Sequence, residues 1–138
     1  MNKWVVHKFG GTSVGNADCM RKCASIIKPL TKNARLAVVV SAMGGKPKVT
    51  DLLLDSVHAA ALGDKETSQS HLNTILSKHE QCVADVLKDS PEAGNRIISN
   101  VKSDLKDIED LLRAVSLMRM AHEQILELVS GYGEVCFI

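Results

Sequence analysis

The sequence has no excess of charge of either sign: 17 lysines and arginines stand against 16 aspartates and glutamates, for a formal net charge of +1. Nucleic-acid-binding proteins normally show a basic stripe or patch, and none is visible here, so no nucleic-acid partner is expected. No apolar stretch is long enough to cross a bilayer, and no membrane partner is expected. The first apolar run, Trp4-Val5-Val6, follows Met1 too closely to leave room for a signal or transit segment, which makes the cytoplasm the expected location. The four cysteines, Cys19, Cys23, Cys82 and Cys136, form no Cys-x-x-Cys pair and no cysteine–histidine cluster with zinc spacing. They are expected to be buried free thiols in a reducing compartment. There is no internal repeat, low-complexity tract or long linker. At 138 residues the chain is long enough for one domain with a real core and too short for two ordinary ones.

What is present begins with two short apolar runs that predict strands. Trp4 to Phe9 stops at Gly10-Gly11; Leu36 to Val40 stops at Ser41-Ala42 and then Gly44-Gly45. Continuous β-branched runs flanked by glycine suit strands buried on both faces, as in a parallel sheet. Between them Met20, Cys23, Ile27 and Leu30 recur at helical spacing, with Asn16 or Asp18 as the cap. Cys19 and Cys23 would share a face of that helix. Strand, glycine loop, helix and strand make one βαβ unit, expected to be right-handed.

From Thr50 onward the pattern is helical. One helix is expected over about Asp51 to Ala61, ending near Gly63. A second has Leu72, Ile75, Leu76, His79, Val83 and Val86 on one face, His79 reading as a satisfied, partly buried residue. Ser90 and Pro91 predict a third start, with serine as N-cap and proline at the first helical position. Ile98, Val101, Leu105, Ile108, Leu112 and Val115 then form a narrow seam suited to packing against another helix. A helical hairpin within the chain is the favoured reading of that seam, a dimer interface the other. Ile125 to Val129 leads into Gly131-Tyr132-Gly133-Glu134. Two strands cannot form a sheet covered on both faces, and an isolated strand pair is marginal in water. The chain is therefore expected to be part of a domain whose other strands lie elsewhere.

The strongest chemical signal is Lys8-Phe9-Gly10-Gly11-Thr12-Ser13-Val14-Gly15, at the end of a strand and ahead of a helix. A glycine turn in that place exposes backbone N–H groups to a phosphate, with Lys8 adding a mobile positive charge and Ser13 a hydroxyl. Neither the Walker A pattern nor the Gly-x-Gly-x-x-Gly dinucleotide fingerprint occurs.

This octapeptide resembles the signature of aspartate kinases. Val38-Val39-Val40-Ser41-Ala42-Met43-Gly44 followed by Val49-Thr50-Asp51, and Val129-Ser130-Gly131-Tyr132-Gly133-Glu134, are similar to two further motifs of that family in the same order. The resemblance covers nearly the whole chain and extends to the kinase portion of bifunctional aspartate kinase–homoserine dehydrogenases. It implies an α/β fold of the amino acid kinase type, a three-layer α/β/α sandwich, of which residues 1–138 would be the N-terminal, substrate-binding part with a helical insertion. The nucleotide-binding half and the regulatory domains would lie beyond it.

The implied activity is ATP-dependent phosphorylation of the side-chain carboxylate of L-aspartate, with magnesium bridging the phosphates, the entry step to lysine, threonine and methionine. The full-length protein would be a homo-oligomer. Lys8, Gly10 and Gly11 would contact the transferred phosphoryl group, with Ser13 helping in the same loop. Ser41 and Thr50 would bind aspartate, and Glu134 would hold its ammonium group. Structural roles compete: Thr50 as a helix cap, Ser41 as a small strand-end residue, Glu134 as a helix-start carboxylate stabilised by the dipole. Gly45-Lys46-Pro47-Lys48 makes the second loop longer than in many family members, its lysines either attracting anions or only solvating the loop. After Glu134, Val135-Cys136-Phe137-Ile138 departs from the polar, small-residue helix usual in the family. Two other readings stand beside the kinase: a truncated, non-catalytic fragment that binds substrate or a partner, and a related kinase acting on another carboxylate, carbamate or phosphate.

Overall fold

A computed structural model describes residues 3–135, so Cys136 lies outside the described residues. Strand β1 (Trp4–Phe9) is followed by a 3-10 turn (Gly11–Val14), helix α1 (Ala17–Ile27) and strand β2 (Arg35–Val40). Helices α2 (Val49–Leu62), α3 (Lys65–Val86), α4 (Pro91–Met118) and α5 (Glu123–Val135) complete the order. The strands pair in parallel, from Trp4 opposite Arg35 to Phe9 opposite Val40. Parallel pairing requires a crossover, and α1 supplies it.

Each helix starts and stops for local reasons. Asn16, not Asp18, caps α1: its Oδ1 accepts from the Cys19 N–H at 2.9 Å, while Asp18 pairs with Arg21 in the first turn. Pro29 cannot continue the helix, so α1 ends at Ile27 and Leu30 falls in a separate 3-10 turn. The second helix begins at Val49, two residues before the expected Asp51, and closes on Gly63 at φ 82°, a left-handed position that favours glycine. The Asp64 carboxylate caps α3 by accepting from the Thr67 N–H at 3.0 Å. Pro91 opens α4 as expected, although the Ser90 side chain makes no capping bond.

The α4 seam is buried inside the chain. Val101, Leu105, Ile108, Leu112 and Val115 are all enclosed, and α4 packs against both α2 and α3. The hairpin reading therefore holds, with Ile98 only half-buried at the edge. His79 is more enclosed than expected, at 2% exposure. Its Nδ1 lies 2.7 Å from the Ile75 carbonyl; a carbonyl only accepts, so Nδ1 carries the proton. Burial pushes the His79 pKa below its ordinary value.

The core sits among the helices and the β2–α2 loop, running from Ala17, Ala42 and Met43 through α2 to Val129 of α5. Among the described strand residues only Phe9 is buried, and it lies outside that cluster. Along β1 the enclosed positions are Val5, His7 and Phe9, and the exposed ones Trp4, Val6 and Lys8, the two-residue alternation of a strand covered on one face. Val6 is 66% exposed, and Val38 and Val39 of β2 are also open. Burial on both faces, expected from the β-branched runs, is thus not found among the described residues. The physical reason is simple: a two-stranded sheet has two free edges and, here, one bare face.

Candidate functional site

The site is built where both strands deliver their carboxyl ends, the usual location of ligand sites in open α/β sheets. After Phe9 the chain enters the 3-10 turn, closed by Ser13 N–H to Gly10 O at 2.9 Å. The Cys23 thiol, on α1, donates to Ser13 O at 3.2 Å and ties the turn to the crossover helix. After Val40, Ser41 continues the ladder with a bond to Phe9 O at 3.0 Å. Gly44 N–H then donates to Gly11 O at 3.0 Å, joining the two loops directly.

That contact explains two glycines. A Cβ on Gly44 would collide with the Gly11 backbone, and one on Gly11 would come within 3.2 Å of Ala42 O. Gly10 differs, since nothing lies within 4 Å of where its Cβ would be. Open space over Gly10 is where an anion could approach the backbone. Lys8 is exposed on the same face of β1 as Val6, one residue before Phe9 at the strand end.

The third component arrives from α5. A Cβ on Gly133 would lie 3.0 Å from Ala42 Cβ, 3.2 Å from Leu53 Cδ1 and 3.4 Å from Val49 Cγ1. Gly133 thus sits directly on the second loop and the first turn of α2. Ala42, Val49 and Gly133 are the chain neighbours of Ser41, Thr50 and Glu134, so this packing brings those three residues to one end of the molecule.

Two local roles need correction. The α2 N-cap position is Lys48, without a side-chain capping bond; Thr50 is inside the first turn and is not the cap. Glu134 is in the last described turn of α5, not at a helix start, so the dipole-stabilised reading of it falls. Ser41 and Thr50 are half-buried, whereas Lys8, Ser13 and Glu134 are exposed. Lys46 and Lys48 are exposed too. Sequence reasoning missed Lys78 of α3, whose ammonium donates to Pro47 O at 2.7 Å and Gly44 O at 3.2 Å. Nothing in the local pattern signals a partner 31 or 34 residues away.

Among the described residues there is no group of three or more His, Cys, Asp or Glu side chains able to hold a metal ion, and no helix is long and apolar enough to cross a membrane. The free cysteines Cys19 and Cys23 are half-buried, and Cys82 is buried.

A parallel βαβ unit with two glycine loops interlocked at its carboxyl end places the chain among the α/β proteins. The family model described as "Amino acid kinase family" matches residues 3–135, and the chain belongs to that family. Similar proteins include aspartokinases and bifunctional aspartokinase/homoserine dehydrogenases. The chain is 34% identical over 134 residues to the bifunctional aspartokinase/homoserine dehydrogenase 1, chloroplastic, of Arabidopsis thaliana, covering 97% of this chain and 14% of the relative. It is 31% identical over 131 residues to the aspartokinase of Candida albicans, covering 95% of this chain and 24% of the relative. E. coli aspartokinase III in complex with aspartate and ADP matches with a TM-score of 0.71 at 27% identity, over 97% of this chain and 27% of that one. Its complex with lysine and aspartate also gives 0.71. The α/β fold of the amino acid kinase type is confirmed. The chain spans about a quarter or less of the length of these relatives.

Proposed function

We propose that this chain is the N-terminal, substrate-binding part of an aspartate kinase, which transfers the γ-phosphoryl group of ATP to the side-chain carboxylate of L-aspartate. The products are 4-phospho-L-aspartate and ADP, and the step opens lysine, threonine and methionine biosynthesis. The observation that supports it is the contact of Gly133 with Ala42 and Val49, and of Gly11 with Gly44, by which segments of all three motifs touch. The aspartate and ADP in the E. coli aspartokinase III structure support it.

In this reading Glu134 pairs with the substrate ammonium, a charge-assisted contact that orients it. Ser41 and Thr50 offer hydroxyls to the substrate's polar groups. Gly10 and Gly11 let the backbone approach the transferred phosphoryl group, Ser13 adds a hydroxyl, and Lys8 offsets the negative charge that builds there. Phosphoryl transfer needs positioning and charge stabilisation more than covalent help from the protein, and this residue set matches that need. Nothing lies within 4 Å of where a Gly10 Cβ would be, so the backbone there is open to approach. Magnesium would supply charge neutralisation at the phosphates; among the described residues no group of three or more His, Cys, Asp or Glu is placed to hold it. The nucleotide-binding half belongs to a further part of the kinase domain. The half-buried thiols suit a reducing cytoplasm.

One observation favours a second reading for the chain on its own. The bare sheet face, with Trp4, Val6, Val38 and Val39 exposed, marks an unfinished sheet, so the 138 residues alone bind substrate without turnover. Titration calorimetry with L-aspartate, and hydroxamate trapping of aspartyl phosphate in the presence of ATP and magnesium, test both readings. The expected result is weak aspartate binding lost in Glu134→Ala, and no trapped product. A folded chain that does not bind aspartate would defeat the substrate assignment. Product formation abolished by Lys8→Ala would defeat the division into halves.

A further inference from the structure

We propose that Lys78 is a positioning residue, which holds the substrate loop from the side of the helical insertion. Its functional consequence rests on the aspartate reading above; its geometry does not.

The loop between Val40 and α2 is anchored at its two ends. Ser41 bonds to Phe9, Gly44 N–H to Gly11 O, and Val49 N–H to Met43 O at 3.0 Å. Between these anchors Gly45, Lys46 and Pro47 make no backbone–backbone hydrogen bond among the described residues. That span is the outer bend of the loop, and it leads straight into the turn that carries Thr50. Lys78 reaches across from α3 and takes the carbonyls at both ends of the bend, Gly44 O at 3.2 Å and Pro47 O at 2.7 Å. A lysine ammonium has three donors and no acceptor, so one group can close the bend on itself.

Gly44 makes the clamp relevant to the site. Its N–H holds Gly11 in the glycine turn, while its C=O is held by Lys78. There is no slack between Gly44 and Gly11, because their backbones are in direct contact. A displacement of the bend therefore passes to the glycine turn on one side and to Thr50 on the other. Gly45 completes the arrangement at φ 90°, with its missing Cβ 3.4 Å from Lys78 Nζ. Lys78 is half-buried and lines a cleft of about 600 Å³ between α1, the loop and α3. None of the candidate substrate or phosphate residues lines that cleft, so Lys78 acts on the site through the loop.

The test compares the chain with Lys78→Met, which keeps the stem and removes the donors, and with Lys88→Met, which removes a positive charge from an exposed position. Gly45→Val, strained at its positive φ and crowding Lys78 Nζ, disturbs the same bend from the loop side. Backbone hydrogen exchange of residues 42–50 and the L-aspartate dissociation constant are the two readouts. Lys78→Met and Gly45→Val are expected to speed exchange of that segment and weaken aspartate binding, each by about tenfold or more. Helices α3 and α4 should keep their protection, and Lys88→Met should match the unsubstituted chain. Unchanged exchange in Lys78→Met would overturn the clamp. A loosened loop with unaltered aspartate affinity would overturn the positioning role. If the unsubstituted chain binds no aspartate, the aspartate reading fails, and exchange of residues 42–50 alone decides whether Lys78 holds the loop.

Discussion

In the helical layer Leu53, Ile75 and Ile108 are each 1% exposed, while in the strand pair Val6 and Val39, equally apolar, stand 66% and 49% exposed. The two regions come from different patterns, apolar residues at helical spacing in the helices and short continuous apolar runs in the strands. The difference lies in who supplies the covering surface. Helices α2 to α5 cover one another, because their apolar faces meet within this stretch of chain. On the strand pair, Trp4, Val6, Val38 and Val39 find no such cover among the described residues. The helices thus share one enclosed core with the β2–α2 loop, whereas the strand pair keeps an open apolar face among the described residues.

The largest expected effect tests that contrast directly. Ile108→Ala should cost about 2–5 kcal/mol of unfolding free energy, the usual range for emptying a packed core position. Val6→Thr in the same chain should stay within about 0.5 kcal/mol, as for a surface change. Urea midpoints of the two variants measure both. A Val6→Thr cost as large as that of Ile108→Ala would mean that the sheet is covered in solution and that the contrast is false. In a longer protein that supplies the missing strands, the Val6 substitution should become costly.

A smaller effect separates glycines that serve the fold from one that serves a ligand. Gly44→Ala and Gly133→Val place atoms against the Gly11 backbone and against Ala42, Leu53 and Val49 respectively. Each should cost about 1–3 kcal/mol, as overpacking does. Gly10→Ala meets open space at φ −74° and should change stability by less than about 0.5 kcal/mol. Thermal unfolding of the three variants ranks them. Equal losses in all three would remove the distinction between the interlocked loop floor and its open mouth.

The smallest effect is one of pH and belongs to the helical core. Burial holds the His79 pKa below its ordinary value of 6.5, so below that pH the unfolded chain binds a proton that the folded chain refuses. Stability is therefore expected to be unaffected by this group above about pH 6.5 and to fall as pH drops from there toward the lowered folded pKa. His79→Leu should flatten that part of a melting-temperature profile recorded between pH 5 and pH 8. An unchanged slope would show that His79 is not the group responsible.

Much of this was legible in the residues themselves. The β-branched run from Trp4 to Phe9 predicted β1 at its observed bounds, and the Val101–Val115 seam predicted the buried stripe of α4. Helix limits were less legible. Asp51 was a plausible start for α2, yet Val49 is drawn into the helix because it packs into the core at 0% exposure. Glu134 follows glycines that look like a turn, but they lie inside α5, where Gly133 is small in order to seat on Ala42. Propensity argues against glycine inside a helix by about 1 kcal/mol, and close packing overrides it. Lys78 was invisible because its partners are backbone carbonyls, which carry no side-chain signature.

By itself, then, the sequence determined the βαβ unit, the phosphate-suited turn after Lys8 and the helical character of everything past Thr50. Those outcomes depend on neighbours along the chain: strand-forming runs, glycine backbone freedom and helical periodicity. Only the tertiary structure decided that Gly11 and Gly44 interlock, that Gly133 seats on Ala42, Leu53 and Val49, that Lys78 closes the loop, and that one face of the sheet stays bare. These depend on contacts between segments far apart in sequence, where close packing and the satisfaction of backbone carbonyls are settled by the folded shape and not by the local order of residues.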